Sequence, residues 1–315
     1  MRPELPGIGH RFIEANGQRF SVATAGSGER LALCLHGFPE CWYSWHHQMP
    51  LLAERGYEVW APDLRGYGET SRPPHMRDYS IEQLMDDVAG LIDASGASST
   101  TLIAHDWGGI IAWWFAMRKR RPLERLVVFN APHPTVARER AGRRQRLRSW
   151  YALFFQLPRL PEMLMGRDGR GVARALQRAA GRPDVFSPEE IEIYRSSAAI
   201  PGALTAMINY YRAIGRGGGF KRQRDLGSPP IEVPTLLLWG TEDPALGVEL
   251  THGMAPYVTD LTIRYLPGTG HWSQQEAPEE SNRILAAWLS NEEIPMIAGD
   301  ERFRETPSGS RAEAP

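Results

Sequence analysis

The sequence predicts an α/β protein: a mostly parallel sheet with helices on both faces, and a helical lid inserted after the sixth strand. Three observations predict it. Short apolar runs alternate with stretches of helical pattern along most of the chain. The run 31–35 is unbroken, as in a strand buried on both faces. From 131 to about 228 the alternation pauses in a helical stretch with no clear strand, then resumes.

The chain has 315 residues, which suits one large domain with an insertion or two modest ones. Apolar residues make up 42% and charged residues 23%, the balance of an ordinary globular protein. A net charge of −1 excludes whole-molecule attraction to nucleic acid. The two cysteines, Cys34 and Cys41, indicate no disulfide framework, and Cys34 reads as a buried structural thiol. The first ten residues hold no apolar segment of signal-peptide length, and no run approaches the ~20 apolar residues of a spanning helix. The expectation is a cytoplasmic protein without a transmembrane segment, as a monomer or homodimer.

Strands are expected at 10–15 and 19–24, joined by Asn16-Gly17, two residues that tolerate positive φ in a hairpin turn. The strand at 31–35 follows, then a helix over 43–55 that Pro50 kinks or divides. A strand at 57–61 precedes a helix capped by Ser80, with Gln83 three residues on, that runs to about 94. The strand at 100–104 leads into an apolar helix over 108–120, which stops before Pro122. A strand at 123–130 closes this half. After the insertion come a strand (235–239), a helix (247–255), a strand (261–266) and a helix (278–289). The expected core is 1–130 with 229–297, the lid is 131–228, and the polar tail 298–315 reads as disordered. An arginine run in the lid, from Arg138 to Arg148, reads as a solvated helix face with Glu139 as partner.

Four pieces of chain carry chemistry. After the strand at 100–104 stands Ala104-His105-Asp106-Trp107-Gly108, the small-x-nucleophile-x-Gly pattern of a nucleophile elbow. Esterases and lipases place Ser there; this chain places Asp106. A carboxylate attacks an sp³ carbon to give an alkyl ester and is a poor nucleophile towards a carbonyl. His36-Gly37-Phe38-Pro39-Glu40 follows the strand at 31–35, so the N–H groups of Phe38 and Trp107 can form an oxyanion hole. Asp243, in Gly240-Thr241-Glu242-Asp243, and His271, in Gly268-Thr269-Gly270-His271-Trp272, complete the order nucleophile, acid, base. Spacing from Gly240 favours Asp243 over Glu242, and Asn130 cannot serve as the acid. His105 and His133 are expected to pack nearby, His46 and His47 to be surface or packing residues.

These pieces resemble the epoxide hydrolases of the α/β-hydrolase superfamily, on HGFPE at 36–40, DLRGYG at 63–68, HDWGG at 105–109 and GHW at 270–272. The resemblance runs from about residue 10 to 289. It implies two lid tyrosines over the nucleophile, which map onto Tyr151 in the segment 151–158 and Tyr211 in Asn209-Tyr210-Tyr211-Arg212. A phenol with pKa ~10 stays protonated at neutral pH and can donate to the ring oxygen. The implied reaction takes a small-molecule epoxide and water to a vicinal diol through an ester on Asp106. It calls for no metal and no organic cofactor. His36, Pro39, Trp42, Phe154, Phe155 and Met207 are the expected substrate-binding walls. Two other readings stand beside it. A haloalkane or haloacid dehalogenase shares the Asp nucleophile, but leaves the paired tyrosines unexplained and expects a second halide or carboxylate donor. A non-catalytic ligand-binding receptor of this fold predicts binding without turnover.

Overall fold

The computed structural model describes residues 3–166, 168–182 and 184–303. Eight strands form one sheet in the order β1-β2-β4-β3-β5-β6-β7-β8. They are β1 (Ile8–Ala15), β2 (Gln18–Ala25), β3 (Arg30–Leu35), β4 (Tyr57–Pro62), β5 (Ser99–His105), β6 (Arg125–Phe129), β7 (Thr235–Gly240) and β8 (Leu261–Leu266). The β1–β2 hairpin turns on Asn16 and Gly17, both at positive φ, and β2 pairs antiparallel with β4. Every later pairing is parallel. The central strands are rich in Leu and Val because helices cover both faces.

From β3 the chain moves outward to β4, then returns to β5 on the other side of β3. The carboxyl ends of β3 and β5 therefore flank a topological switch point, where loops diverge and leave a crevice. Covering helices of the core are α1 (Gln48–Glu54), α2 (Ile81–Ser95) and α3 (Asp106–Met117). Ser80 caps α2 by accepting the N–H of Gln83.

Between β6 and β7 lie eight helices and no strand among the described residues. They are α4 (Pro134–Arg140), α5 (Arg143–Arg148), α6 (Trp150–Phe154), α7 (Leu160–Met165), α8 (Arg170–Ala179), α9 (Pro188–Ala199), α10 (Ala203–Ile214) and α11 (Gly219–Asp225). After β8 come α12 (Ser273–Glu276) and α13 (Pro278–Leu289). Helix α10 is buried along most of its length, which makes it the keel of the insertion. Among the described residues, no helix is long and apolar enough to cross a membrane.

Four expectations need correction. The helix expected at 43–55 is a 3₁₀ turn (Trp42–Trp45) followed by α1. Pro50 sits in the first turn of α1, where its missing N–H has no intrahelical acceptor to lose. The helix expected at 108–120 begins two residues earlier, at Asp106 itself, and ends at Met117. The helix expected at 247–255 is a single 3₁₀ turn (Val248–Thr251), because Gly247 and Gly253, the latter at φ 78°, leave no room for a second turn. The tail does not dissolve at 298: Asp300–Phe303 forms a 3₁₀ turn with Asp300 buried and accepting the N–H of Tyr265. Residues 304–315 lie outside the described residues.

Candidate active site

Asp106 stands at a tight turn between β5 and α3, at φ 45°. The bend exists because two glycines let backbones pass. A Cβ on Gly108 would lie 2.3 Å from the carbonyl oxygen of Leu35, and one on Gly37 would lie 2.5 Å from the Asp106 Cβ. The N–H of Phe38 donates to Asp106 Oδ1 at 2.8 Å. Trp107 is in the first turn of α3, so its N–H has no intrahelical acceptor. Burial works against the charged Asp106, but the His271 imidazolium close by and the Phe38 N–H outweigh that, and its pKa is lowered.

His271 Nδ1 lies 2.6 Å from Asp243 Oδ2, and its Nε2 lies 3.6 Å from Asp106 Oδ2. Burial works against the imidazolium, yet the carboxylates of Asp243 and Asp106 prevail and hold its pKa well above 6.5. Asp243 is anchored on every side. Its Oδ1 accepts the N–H groups of Ala245 and Leu246, and its Oδ2 also accepts the Asn130 amide at 2.8 Å. The His271 loop is held just as firmly, since Glu276 accepts the N–H groups of Gly270, Trp272 and, from the insertion, Gly181.

Tyr151 of α6 and Tyr211 of α10 face Asp106 across a cavity of about 720 Å³, which Trp107, Ile110 and Leu246 also line. The two phenol rings are 6.1 Å apart, and Tyr211 packs edge-on to Trp107 at 4.9 Å. Burial, then the charge of Asp106, pushes both phenols above their ordinary pKa, so both hold their protons. Tyr210 points elsewhere and donates to the carbonyl of Arg65. A second cavity of about 580 Å³ adjoins the first, sharing Ile110, Pro132, Gly215 and Phe220 as its wall.

Several residues expected as substrate walls are placed otherwise. His36 is a loop pin, whose Nε2 accepts the Leu64 N–H while Nδ1 bonds the Gly37 carbonyl. Trp42 turns towards His10 and Tyr43 and lines a small separate cavity. Phe154 packs on Trp150, and Met207 is wholly buried on the core side of α10. Pro39, on a cis peptide after Phe38, is buried in the loop, and none of these five lines the cavity over Asp106. Phe155 is buried behind the site, 4.8 Å from the Tyr211 ring and 5.3 Å from Phe38.

Sequence reasoning placed His105 near the site, as found, but missed the supporting roles of Asn130 and Glu40. Asn130 was excluded as the acid, and it instead holds the acid. Glu40 and His105 form a buried pair at 2.7 Å, and His105 Nε2 reaches the carbonyl of His271 at 2.9 Å. Glu40 also accepts the Gly37 N–H and the amides of Gln274 and Gln275. The available signal was an acid closing HGFPE and a histidine opening HDWGG, both in apolar surroundings where a polar group needs a partner. His133 is buried and stacks on Tyr257, its pKa lowered to about 4 by burial.

Residues 33–278 match the family model described as alpha/beta hydrolase fold. The chain is 34% identical over 292 residues to the AB hydrolase superfamily protein YfhM of Bacillus subtilis (strain 168), covering 91% of this chain and 100% of that protein. It is 37% identical over 293 residues to epoxide hydrolase 3 of Xenopus tropicalis, covering 90% of this chain and 78% of the relative. Among solved structures, a mutant of an epoxide hydrolase from Bacillus megaterium aligns with a TM-score of 0.81 at 30% identity, covering 89% of this chain and 100% of that one. With an aspartate elbow at the switch point of the sheet and relatives of this kind along nearly its whole length, the chain belongs to the epoxide hydrolases of the α/β-hydrolase superfamily.

Proposed function

We propose that this protein hydrolyses an apolar epoxide to a vicinal diol through a covalent ester on Asp106. The observation that carries the reading is one cavity that brings a carboxylate nucleophile against two protonated phenols, with a His–Asp pair behind it. Tyr151 and Tyr211 donate to the epoxide oxygen, which makes the leaving alkoxide less basic. Asp106 Oδ2 attacks a ring carbon from the opposite side. Its Oδ1 is already held by Phe38, so that oxygen is placed to become the oxyanion of the second step. His271, oriented by Asp243, then takes a proton from water, and the hydroxide adds to the ester carbonyl. The Phe38 and Trp107 N–H groups stabilise the tetrahedral charge, a term worth ~3 kcal/mol per donor.

In this reading 131–228 is a cap over a core of 1–130 and 229–297, and the protein works in the cytoplasm. The apolar lining favours uncharged epoxides such as styrene oxide. Incubation with styrene oxide should yield the diol, and Asp106→Ala should abolish it. Halide release from a chloroalkane, with no diol from any epoxide, would favour a dehalogenase; tight epoxide binding without turnover would favour a receptor.

A further inference from the structure

The insertion carries a surface that the catalytic reading does not use. Among the described residues, seven of the eleven exposed large hydrophobic side chains fall within the eighteen residues 147–164. Leu147, Trp150 and Leu153 recur every third residue along α5 and α6, where Ser149 keeps a near-helical φ of −84° and ψ of 15°. Leu147 and Leu153 are 75% and 76% exposed, and Met163 and Leu164 on α7 are 75% and 63% exposed. A globular protein does not gather so many large apolar groups in water without a partner for them.

The same segment is strongly basic. Residues 131–166 contain seven arginines and two carboxylates. Both carboxylates are engaged: Glu139 pairs with Arg138 and accepts the Tyr257 hydroxyl, and Glu162 pairs with the buried Arg212 at 2.6 Å. Among the described residues, Arg143, Arg144, Arg146, Arg148 and Arg159 make no ion pair. Glu139, the partner expected from the sequence, pairs with Arg138 and with none of these five.

We infer that α5 to α7 form a peripheral docking face for an anionic lipid bilayer, with Trp150, Leu147 and Leu153 entering the interface and the arginines resting on the headgroups. Helices that lie in a membrane surface combine an apolar face with flanking Arg or Lys in this way. Charge argues against a second copy as the occupant. A two-fold interface would set the patch against itself and bring two unneutralised arginine clusters together. Position supports the bilayer as well. Leu153 is mostly exposed and yet lines the cavity over Asp106, with Tyr151 and Ala152 beside it. Docking by this face turns the cavity mouth to the lipid, from which an apolar epoxide can enter without crossing water. That delivery rests on the proposed activity; the docking itself does not.

Co-sedimentation with phosphatidylglycerol–phosphatidylcholine vesicles, against vesicles of phosphatidylcholine alone, tests it. The full chain should pellet with the anionic vesicles and release as salt rises. The double variant Arg143→Glu/Arg144→Glu and the double variant Leu147→Ser/Met163→Ser, all outside the cavity, should each weaken binding at least tenfold while turnover of water-soluble styrene oxide is unchanged. No binding to anionic vesicles overturns the inference, as does equal binding to both vesicle types or binding unaffected by either variant. A dimer in light scattering that Leu147→Ser/Met163→Ser dissolves, with no vesicle binding, assigns the face to a second copy instead. If styrene oxide is not hydrolysed, the activity reading fails while the vesicle result stands by itself.

Discussion

His271 Nε2 stands 3.6 Å from Asp106 Oδ2, beyond hydrogen-bond reach and on the side of the carboxylate away from Phe38. That separation gives the imidazole a task after the carboxylate has reacted, when a water must be activated against the ester. His271→Gln should therefore still open the epoxide once. We expect a burst of about one equivalent of consumed epoxide, followed by steady turnover at least ~10²-fold slower than wild type, the scale of a lost general base. Rapid-quench measurement of epoxide and diol separates the two phases. Loss of the burst would place His271 in the first step.

The two steps should also titrate differently. In the free enzyme Asp106 is held ionised below its ordinary value of 3.8, so ring opening loses its nucleophile only in strong acid. His271 is held protonated above 6.5, in part by the charge of Asp106. Esterification removes that charge, so the pKa of His271 falls in the intermediate and the neutral base becomes available. Ester hydrolysis should rise with pH through an apparent pKa below that of His271 in the free enzyme. Single-turnover rates against pH, beside the free-enzyme value from proton magnetic resonance, give the comparison. Equal values would show that Asp106 does not couple to the base.

Tyr151 and Tyr211 share one leaving oxygen in the proposed reaction, so neither should be indispensable alone. Tyr151→Phe and Tyr211→Phe should each slow ring opening by ~10-fold or more, and the double variant by ~10²–10⁴-fold, the range of general-acid catalysis. Ester hydrolysis, followed from a preformed intermediate, should change little. A larger effect on hydrolysis than on opening would contradict the assignment of either phenol.

The glycine beside the nucleophile and the buried acid behind it are structural requirements with separate readouts. Gly108→Ala forces a Cβ into two backbone carbonyls, of Leu35 and His36, and should cost ~1–3 kcal/mol of stability through overpacking. Glu40→Ala strands the Gly37 N–H, the His105 ring and two glutamine amides, and should cost ~3 kcal/mol or more. Denaturant melts measure both. Glu40→Gln keeps the volume and part of the bonding, so it should melt between Glu40→Ala and wild type.

A narrowing at the wall shared by the two cavities should act on substrate size. Ile110→Phe is expected to lower kcat/KM for bulky aryl epoxides by ~10-fold, about the discrimination one pocket contact supplies, while sparing small alkyl epoxides. A uniform loss would mean that the change reached Asp106, one helical turn away.

Legibility in the sequence followed the range of the interactions. Strand β3 and helix α13 could be read closely because each is set by local patterning: an apolar run in one, a Pro at the first helical position in the other. The triad residues were marked by strand–turn contexts, and a turn is a local signal. What failed to show was anything decided by contacts across the fold. Trp42 and Met207 are large, apolar and near the right motifs, which marks them as pocket walls in the sequence, but the directions of the 42–45 turn and of α10 point them elsewhere. Asn130 and Asp243 are over a hundred residues apart and meet only because β6 and β7 pair. The Gly247–Gly253 stretch shows the reverse case, where an apparent helix period lost to glycines at both ends.

In the proposed reaction Asp106, and not water, attacks the epoxide. A single turnover of styrene oxide by excess enzyme in ¹⁸O-labelled water tests it most directly. Attack by Asp106 gives a first-turnover diol that carries carboxylate oxygen without label, and label appears in the peptide that contains Asp106. A first-turnover diol carrying solvent oxygen, with an unlabelled Asp106 peptide, would contradict it.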